Sequence, residues 1–183
     1  MGGAKAVVEL SGKPLIAYSL DALSACLTEI VIVAKADTAL PDLPGVTVWI
    51  EPDEPQHPLT GIVEALGLAG GRPVLACASD MPFVPPSLLA RLAETDPRGA
   101  AAVVPVCDGR LQPFPGIYVP SAAARLAEAV KRENTKLTDE VAAIDPILIE
   151  MDVPEVFFNV NSPDDLLQAA GMLDRSSYPN VKS

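Results

Sequence analysis

The chain has 183 residues, 49% of them apolar but only 4% aromatic, and a formal net charge of −11. That length suits one domain with an aliphatic core, and the acidic balance argues against a nucleic-acid partner, whose phosphates it would repel. No apolar run reaches the ~18 residues that a bilayer span needs, and no basic-then-apolar secretory start is evident.

The chain opens with Met1-Gly2-Gly3-Ala4-Lys5, followed by Leu10-Ser11-Gly12-Lys13-Pro14-Leu15. A helix is predicted over 14–26 and strands over 29–34 and 46–50, with Glu51 directly after the second strand. His57-Pro58-Leu59-Thr60-Gly61 leads into a helix over 59–69, and an apolar strand over 73–78 runs into Ala78-Ser79-Asp80-Met81-Pro82. Next come a helix over 86–94, opened by Pro86 in its first turn, and a strand over 101–106. Asp108-Gly109-Arg110-Leu111-Gln112-Pro113 separates that strand from another over 116–119. Helices over 121–132 and 135–143 precede strands over 147–151 and 156–160, the last ending in Phe158-Asn159-Val160-Asn161. Ser162 reads as the N-cap of a final helix over 163–173, with Pro163, Asp164 and Asp165 in its first turn. Residues 1–174 are expected to form one domain and 175–183 a frayed tail.

Strands alternating with helices give an α/β fold of three layers, a mainly parallel sheet with helices on both faces. In such sheets ligands sit beyond the carboxyl ends of the strands. That places Glu51, Asp80 and Asn161 on one rim. Read alone, Asp80 is either a hard oxygen ligand for Mg²⁺ or a turn-former before a proline bend. Glu51 is either a hydrogen-bond acceptor for a ligand or a solvated loop carboxylate. Asn159 and Asn161, at alternate strand positions, either face a ligand together or make an Asx turn before the capped helix. His57, the only histidine, reads as a solvent-facing loop residue. Cys26, Cys77 and Cys107 lie far apart without Cys-x-x-Cys spacing, so reduced thiols in a cytoplasmic protein are expected and a zinc site is not.

Three segments together, the Gly2-Gly3-Ala4-Lys5 start, Ala78–Pro82 and Phe158–Asp165, resemble the MobA-like nucleotidyltransferases, which guanylylate the molybdenum cofactor. The resemblance runs from Met1 to about Ala170 and implies a nucleotide-diphospho-sugar transferase-like, Rossmann-like fold. It also implies transfer of GMP from GTP to a molybdopterin-type phosphate, with pyrophosphate released. Gly2, Gly3 and Lys5 match the phosphate loop and its lysine, and Asp80 matches the metal-holding aspartate. Lys5 and Asp80 are thus the implied catalytic residues, and Asp80 with Asn161 the implied Mg²⁺ ligands. Glu51, Leu59 and Gly61 match positions beside the nucleotide, and Arg110 an acceptor-side loop. The substrates GTP and a phosphate-bearing acceptor are the implied partners, with transient contact to other cofactor-biosynthesis proteins and none to nucleic acid or membrane. The family places a strand and a Leu-Ala-Gly-Gly-x-Ser-x-Arg segment ahead of this loop. By that comparison Met1 is expected to be an internal residue of the motif, with an interior strand missing and weak GTP binding as a result. Other guanylyl- or cytidylyltransferases of the same fold, a nucleotide-binding paralogue of low activity and a purely structural or interaction protein stay open as alternatives.

Overall fold

The computed structural model describes residues 6–132 and 136–177. It begins with a small hairpin, β1 (Glu9–Leu10) and β2 (Lys13–Pro14), paired antiparallel. Ser11 and Gly12 form the turn, both at positive φ (51° and 78°), the backbone that a two-residue hairpin loop requires. Helix α1 (Leu15–Ser24) leads to β3 (Val31–Ala34), which pairs in parallel with β4 (Thr47–Ile50). Helix α2 (Thr60–Leu68), β5 (Val74–Ala76) and α3 (Pro86–Glu94) follow.

The largest sheet is built on β6 (Ala102–Cys107), which is buried from end to end. Beside it lie β7 (Arg110–Leu111), β8 (Gly116–Tyr118) and β9 (Ile147–Met151), and β5 joins at the far side of β8. The pairing is mixed where a mainly parallel sheet was expected: β8 runs antiparallel to both β5 and β6, and only β9 is parallel to β6. The reason lies in the connections. Only the short β7 hairpin and Gln112–Pro115 separate β6 from β8, too little chain for a crossover, so β8 must return in the opposite sense. Helices α4 (Ala123–Val130) and α5 (Leu137–Ala142) supply the crossover to β9.

Alternate residues of β6 sort the core into two layers. Val103 and Cys107 pack with Leu88, Leu89 and Leu92 of α3, while Ala102 and Val104 pack with Leu59, Ile62 and Leu66 at α2 and Leu126 and Ala129 of α4. Gly116 sits where the second of these layers presses on β8. A Cβ there would lie 2.8 Å from the Pro113 carbonyl oxygen and 3.0 Å from Val104 Cγ1. Helix α6 runs Pro163–Ser177, past the point where the tail was expected to begin, and closes a third cluster with Leu10, Leu15 and Val160.

The strand predicted over 156–160 is instead a 3₁₀ turn (Pro154–Phe157) followed by irregular chain. Pro154 cannot donate to a ladder and its fixed φ starts the turn. No described helix is long and apolar enough to cross a membrane.

Candidate functional site

Glu29 and Arg72, just ahead of β3 and β5, meet in a two-point ion pair of 2.5 and 3.0 Å, so the two strands start at one end of the molecule. β5, β6 and β9 share a direction because β8 opposes both β5 and β6. The carboxyl ends of β3, β4, β5, β6 and β9 therefore lie at one rim, and the candidate site is there.

Two loops form its centre. After β4, Glu51 N–H donates to the Ala34 carbonyl at 2.9 Å and so extends the β3–β4 ladder by one step. Its carboxylate lies over the start of α2: a Cβ on Gly61 would come within 3.1 Å of Glu51 Oε2. Burial pushes the Glu51 carboxyl up, the Lys35 ammonium draws it partly back, and the neighbouring Glu64 pushes it further up. His57 is half-buried, and its Nδ1 accepts the Leu59 N–H at 3.1 Å, which places the imidazole on the opening turn of α2. Thr60 Oγ1 donates to the Pro55 carbonyl at 3.1 Å and holds the same loop.

After β5 the chain turns at Ser79 and Asp80. Buried Ser19 of α1 donates from Oγ to the Ala78 carbonyl at 2.9 Å, and Val160 N–H donates to the Asp80 carbonyl at 2.9 Å. The second bond draws the Asn159–Asn161 segment against the Asp80 turn. Asp165 then fixes that segment: its Oδ2 accepts both Asn161 N–H and Ser162 N–H at 2.9 Å, while Ser162 Oγ accepts Asp165 N–H at 3.1 Å. This reciprocal cap bears out Ser162 as the N-cap and adds the anchoring of Asn161. Asn159 Nδ2 donates to the Phe157 carbonyl at 3.1 Å.

Glu51, His57, Pro58, Gly61 and Asp80 thus line one cleft of about 750 Å³. Asn161 adjoins it through Val160. The Leu59 side chain is fully buried in the core under α2, which leaves only its backbone near the rim. Arg110 is exposed on the β6–β7 hairpin, at the same rim but outside the cleft lining. Lys13 is paired with Asp21 and lies 4.5 Å from the Tyr18 ring. Gly2, Gly3 and Lys5, the expected phosphate loop, lie outside the described residues.

Sequence reasoning passed over Lys35, whose Nζ donates to the Asp53 carbonyl at 2.6 Å and whose charge reaches Glu51. Its signal was the one that singled out Asp80: a polar residue immediately after a strand. Ser19 carried no signal in its helix.

A rim that pairs carboxylates with a helix start and a glycine under one of them suits a nucleotide carrying a divalent cation. Among the described residues no group of three or more His, Cys, Asp or Glu side chains converges, so a closed cage made only of such residues is not present there. Comparison with known proteins identifies the family. The MobA-like NTP transferase domain model matches residues 1–144. A molybdenum cofactor guanylyltransferase of Rhizobium leguminosarum bv. trifolii is 31% identical, with 95% of this chain and 87% of the relative covered. A probable molybdenum cofactor guanylyltransferase of Thermococcus kodakarensis is also 31% identical, over 99% of this chain and 93% of the relative. Among solved structures, molybdopterin-guanine dinucleotide biosynthesis protein A of Archaeoglobus fulgidus superposes with a TM-score of 0.73 at 26% identity, covering 93% of this chain and 91% of that one. The chain belongs to the MobA-like NTP transferase domain family.

Proposed function

We propose that this chain transfers the guanylyl group of GTP to the terminal phosphate of a molybdopterin-type acceptor in molybdenum cofactor biosynthesis. The observation that carries this reading is the shared cleft: Asp80 at the end of β5 and Glu51 over Gly61 line one mouth, in a chain whose relatives carry that activity in their names. An acceptor phosphate oxygen attacks the α-phosphorus of GTP, and the bond to the bridging oxygen of the β-phosphate breaks. Pyrophosphate departs with that electron pair. The acceptor is a phosphate monoester with a second pKa near ~6, so it is already nucleophilic at neutral pH and needs no histidine base. The protein's part is positioning and charge neutralisation.

Mg²⁺ suits this donor set, because it takes one or two carboxylates together with substrate phosphates and water. Asp80 would hold it, with the Asn161 amide beside it through the Val160–Asp80 bond. Bound there, the cation would offset the charge that moves onto the leaving pyrophosphate. Glu51 would accept hydrogen bonds from the guanine edge or the ribose, and the glycine at 61 leaves room for it. Gly2, Gly3 and Lys5 would add backbone N–H groups and a compact positive charge at the phosphates, and Arg110 would meet the acceptor. The free thiols Cys26, Cys77 and Cys107 agree with a reducing cytoplasmic setting.

Pyrophosphate release measured with GTP, CTP and ATP, with Mg²⁺ and a molybdopterin-type acceptor, tests the reading. GTP is expected to be preferred, since a site that hydrogen-bonds a base edge rejects bases lacking the matching groups. A preference for CTP would reassign the chain as a cytidylyltransferase.

A further inference from the structure

At the carboxyl ends of β3 and β4 two opposite charges stand side by side. Glu51 N–H bonds the Ala34 carbonyl, so the register that sets Ala34 against Ile50 carries on by one step and sets Lys35 opposite Glu51. Their backbones are then one strand spacing, ~4.8 Å, apart. Residues two apart share a face of a strand, so Lys35 lies on the face of Val33. That face is turned to α2: a Cβ on Gly61 would meet Glu51 Oε2 at 3.1 Å and Val33 Cγ1 at 3.8 Å.

Lys35 is half-buried, and its Nζ donates to the Asp53 carbonyl at 2.6 Å, which ties the end of β3 to the loop leaving β4. Glu51 lines the cleft, whereas Lys35 does not. Lys35 therefore acts on a ligand through Glu51 and its loop rather than by contact.

The carboxylate has need of such a neighbour. Burial favours its neutral form and Glu64 of α2 adds a like charge, while Lys35 opposes both. Among the described residues, Asp53, Glu54 and His57 follow Glu51 in the same loop, and Asp80 shares the cleft. The two protonation states read different ligands. Ionised, Glu51 offers two acceptor oxygens and no donor; protonated, it turns one oxygen into a donor. Guanine presents two neighbouring N–H donors, on N1 and on the 2-amino group, and only the ionised carboxylate takes both.

We propose that Lys35 is a positioning residue for base recognition, which holds Glu51 over Gly61 as a two-oxygen acceptor for the paired N–H donors of guanine. The proposal rests on the guanylyltransferase reading and adds the group that sets its base specificity.

Two measurements on the full chain test it. The first follows the Glu51 carboxyl carbon by NMR through a pH titration without nucleotide, with Glu51→Gln to assign the signal. Lys35→Met keeps the apolar stem but removes the charge, and should move the Glu51 titration to higher pH. Lys35→Arg should return it towards the parent. The second measures binding of GTP and ITP with Mg²⁺ by calorimetry. Lys35→Met is expected to weaken GTP by about threefold or more at pH 6 and by less at pH 8, where the carboxyl is more fully ionised. ITP, which lacks the 2-amino group, should lose less, and Lys35→Arg should bind GTP as the parent does. In a Glu51→Gln background Lys35→Met should add no pH-dependent loss.

An unmoved Glu51 titration would overturn the proposal, as would the same pH-dependent loss in the Glu51→Gln background. So would a loss of GTP affinity equal at every pH, which is what a merely loosened Asp53 loop would give. Failure of the guanylyl reading looks different: the parent binds CTP in preference to GTP while Lys35→Met still moves the Glu51 titration, and the guanine assignment falls with that reading.

Discussion

Glu51 and Asp80 stand at one mouth but in different surroundings, and two substitutions separate their roles. Asp80→Asn should keep the melting curve of the parent and lower Mg²⁺-dependent guanylyl transfer by about a hundredfold or more, since a charge-stabilising cation contact is worth several kcal/mol. Normal turnover in the folded variant would remove Asp80 from the chemistry. Glu51 is held above its ordinary range, chiefly by burial. A carboxyl raised on folding stabilises the fold fully only below its unfolded pKa, and that contribution is lost as pH rises through the folded value. Glu51→Gln should therefore raise Tm relative to the parent at pH 7 and change it little at pH 4. Equal shifts at both pH values would show that the carboxyl is not the source. Gly61→Val, which pushes a side chain against Glu51 Oε2, should raise the KM for GTP more than it lowers kcat.

At the scale of the element, the start of α6 does two things at once. Asp165 accepts the N–H groups of Asn161 and Ser162, just ahead of the first turn, and in doing so it fixes the backbone at Asn161. Asp165→Ala should cost about 1–2 kcal/mol of stability, read as a lower midpoint in urea, and should depress transfer further than the stability loss explains. Gly116 in β8 has no room for a Cβ, which would meet the Pro113 carbonyl, Val104 and Tyr118. Gly116→Ala forces backbone or Val104 to move, and a loss of about 1–3 kcal/mol is expected. A midpoint equal to that of the parent would mean that the Pro113 turn relaxes freely.

Across the whole molecule, the site and the core layers are separable. Leu126 is fully buried in the cluster under α2 and α4, on the opposite side of β6 from α3. Leu126→Ala should lower stability by about 2–5 kcal/mol and leave kcat/KM close to that of the parent well below the transition temperature. A specific loss of activity in the folded state would show that α2 transmits the packing defect to Gly61 and Glu51. The rim is made by strand ends and loops on a rigid frame, the usual arrangement for an α/β ligand site.

Much of this was legible in the chain itself, because local signals were strong. Apolar runs bounded by Pro and Gly place every strand from β3 to β6, β8 and β9 to within two residues, and Pro86 and Ser162-Pro163 mark helix starts that the structure retains. The motif Ala78–Pro82 located the turn on which Asp80 sits. Direction was not legible: β8 has the composition of a parallel strand, and only the short return from β6 makes it antiparallel. The 156–160 segment reads as a strand from its apolar residues, yet Pro154 and a single bond from Val160 to the Asp80 turn decide its form. Neither Lys35 beside Glu51 nor the burial of Leu59 could be read locally, since each depends on residues distant in sequence. The sequence by itself determined the elements and the polar groups at their ends, because these follow from propensity and capping within a few residues. Only the tertiary structure decided which ends meet and which strands reverse, because those outcomes depend on connection lengths and packing between distant segments.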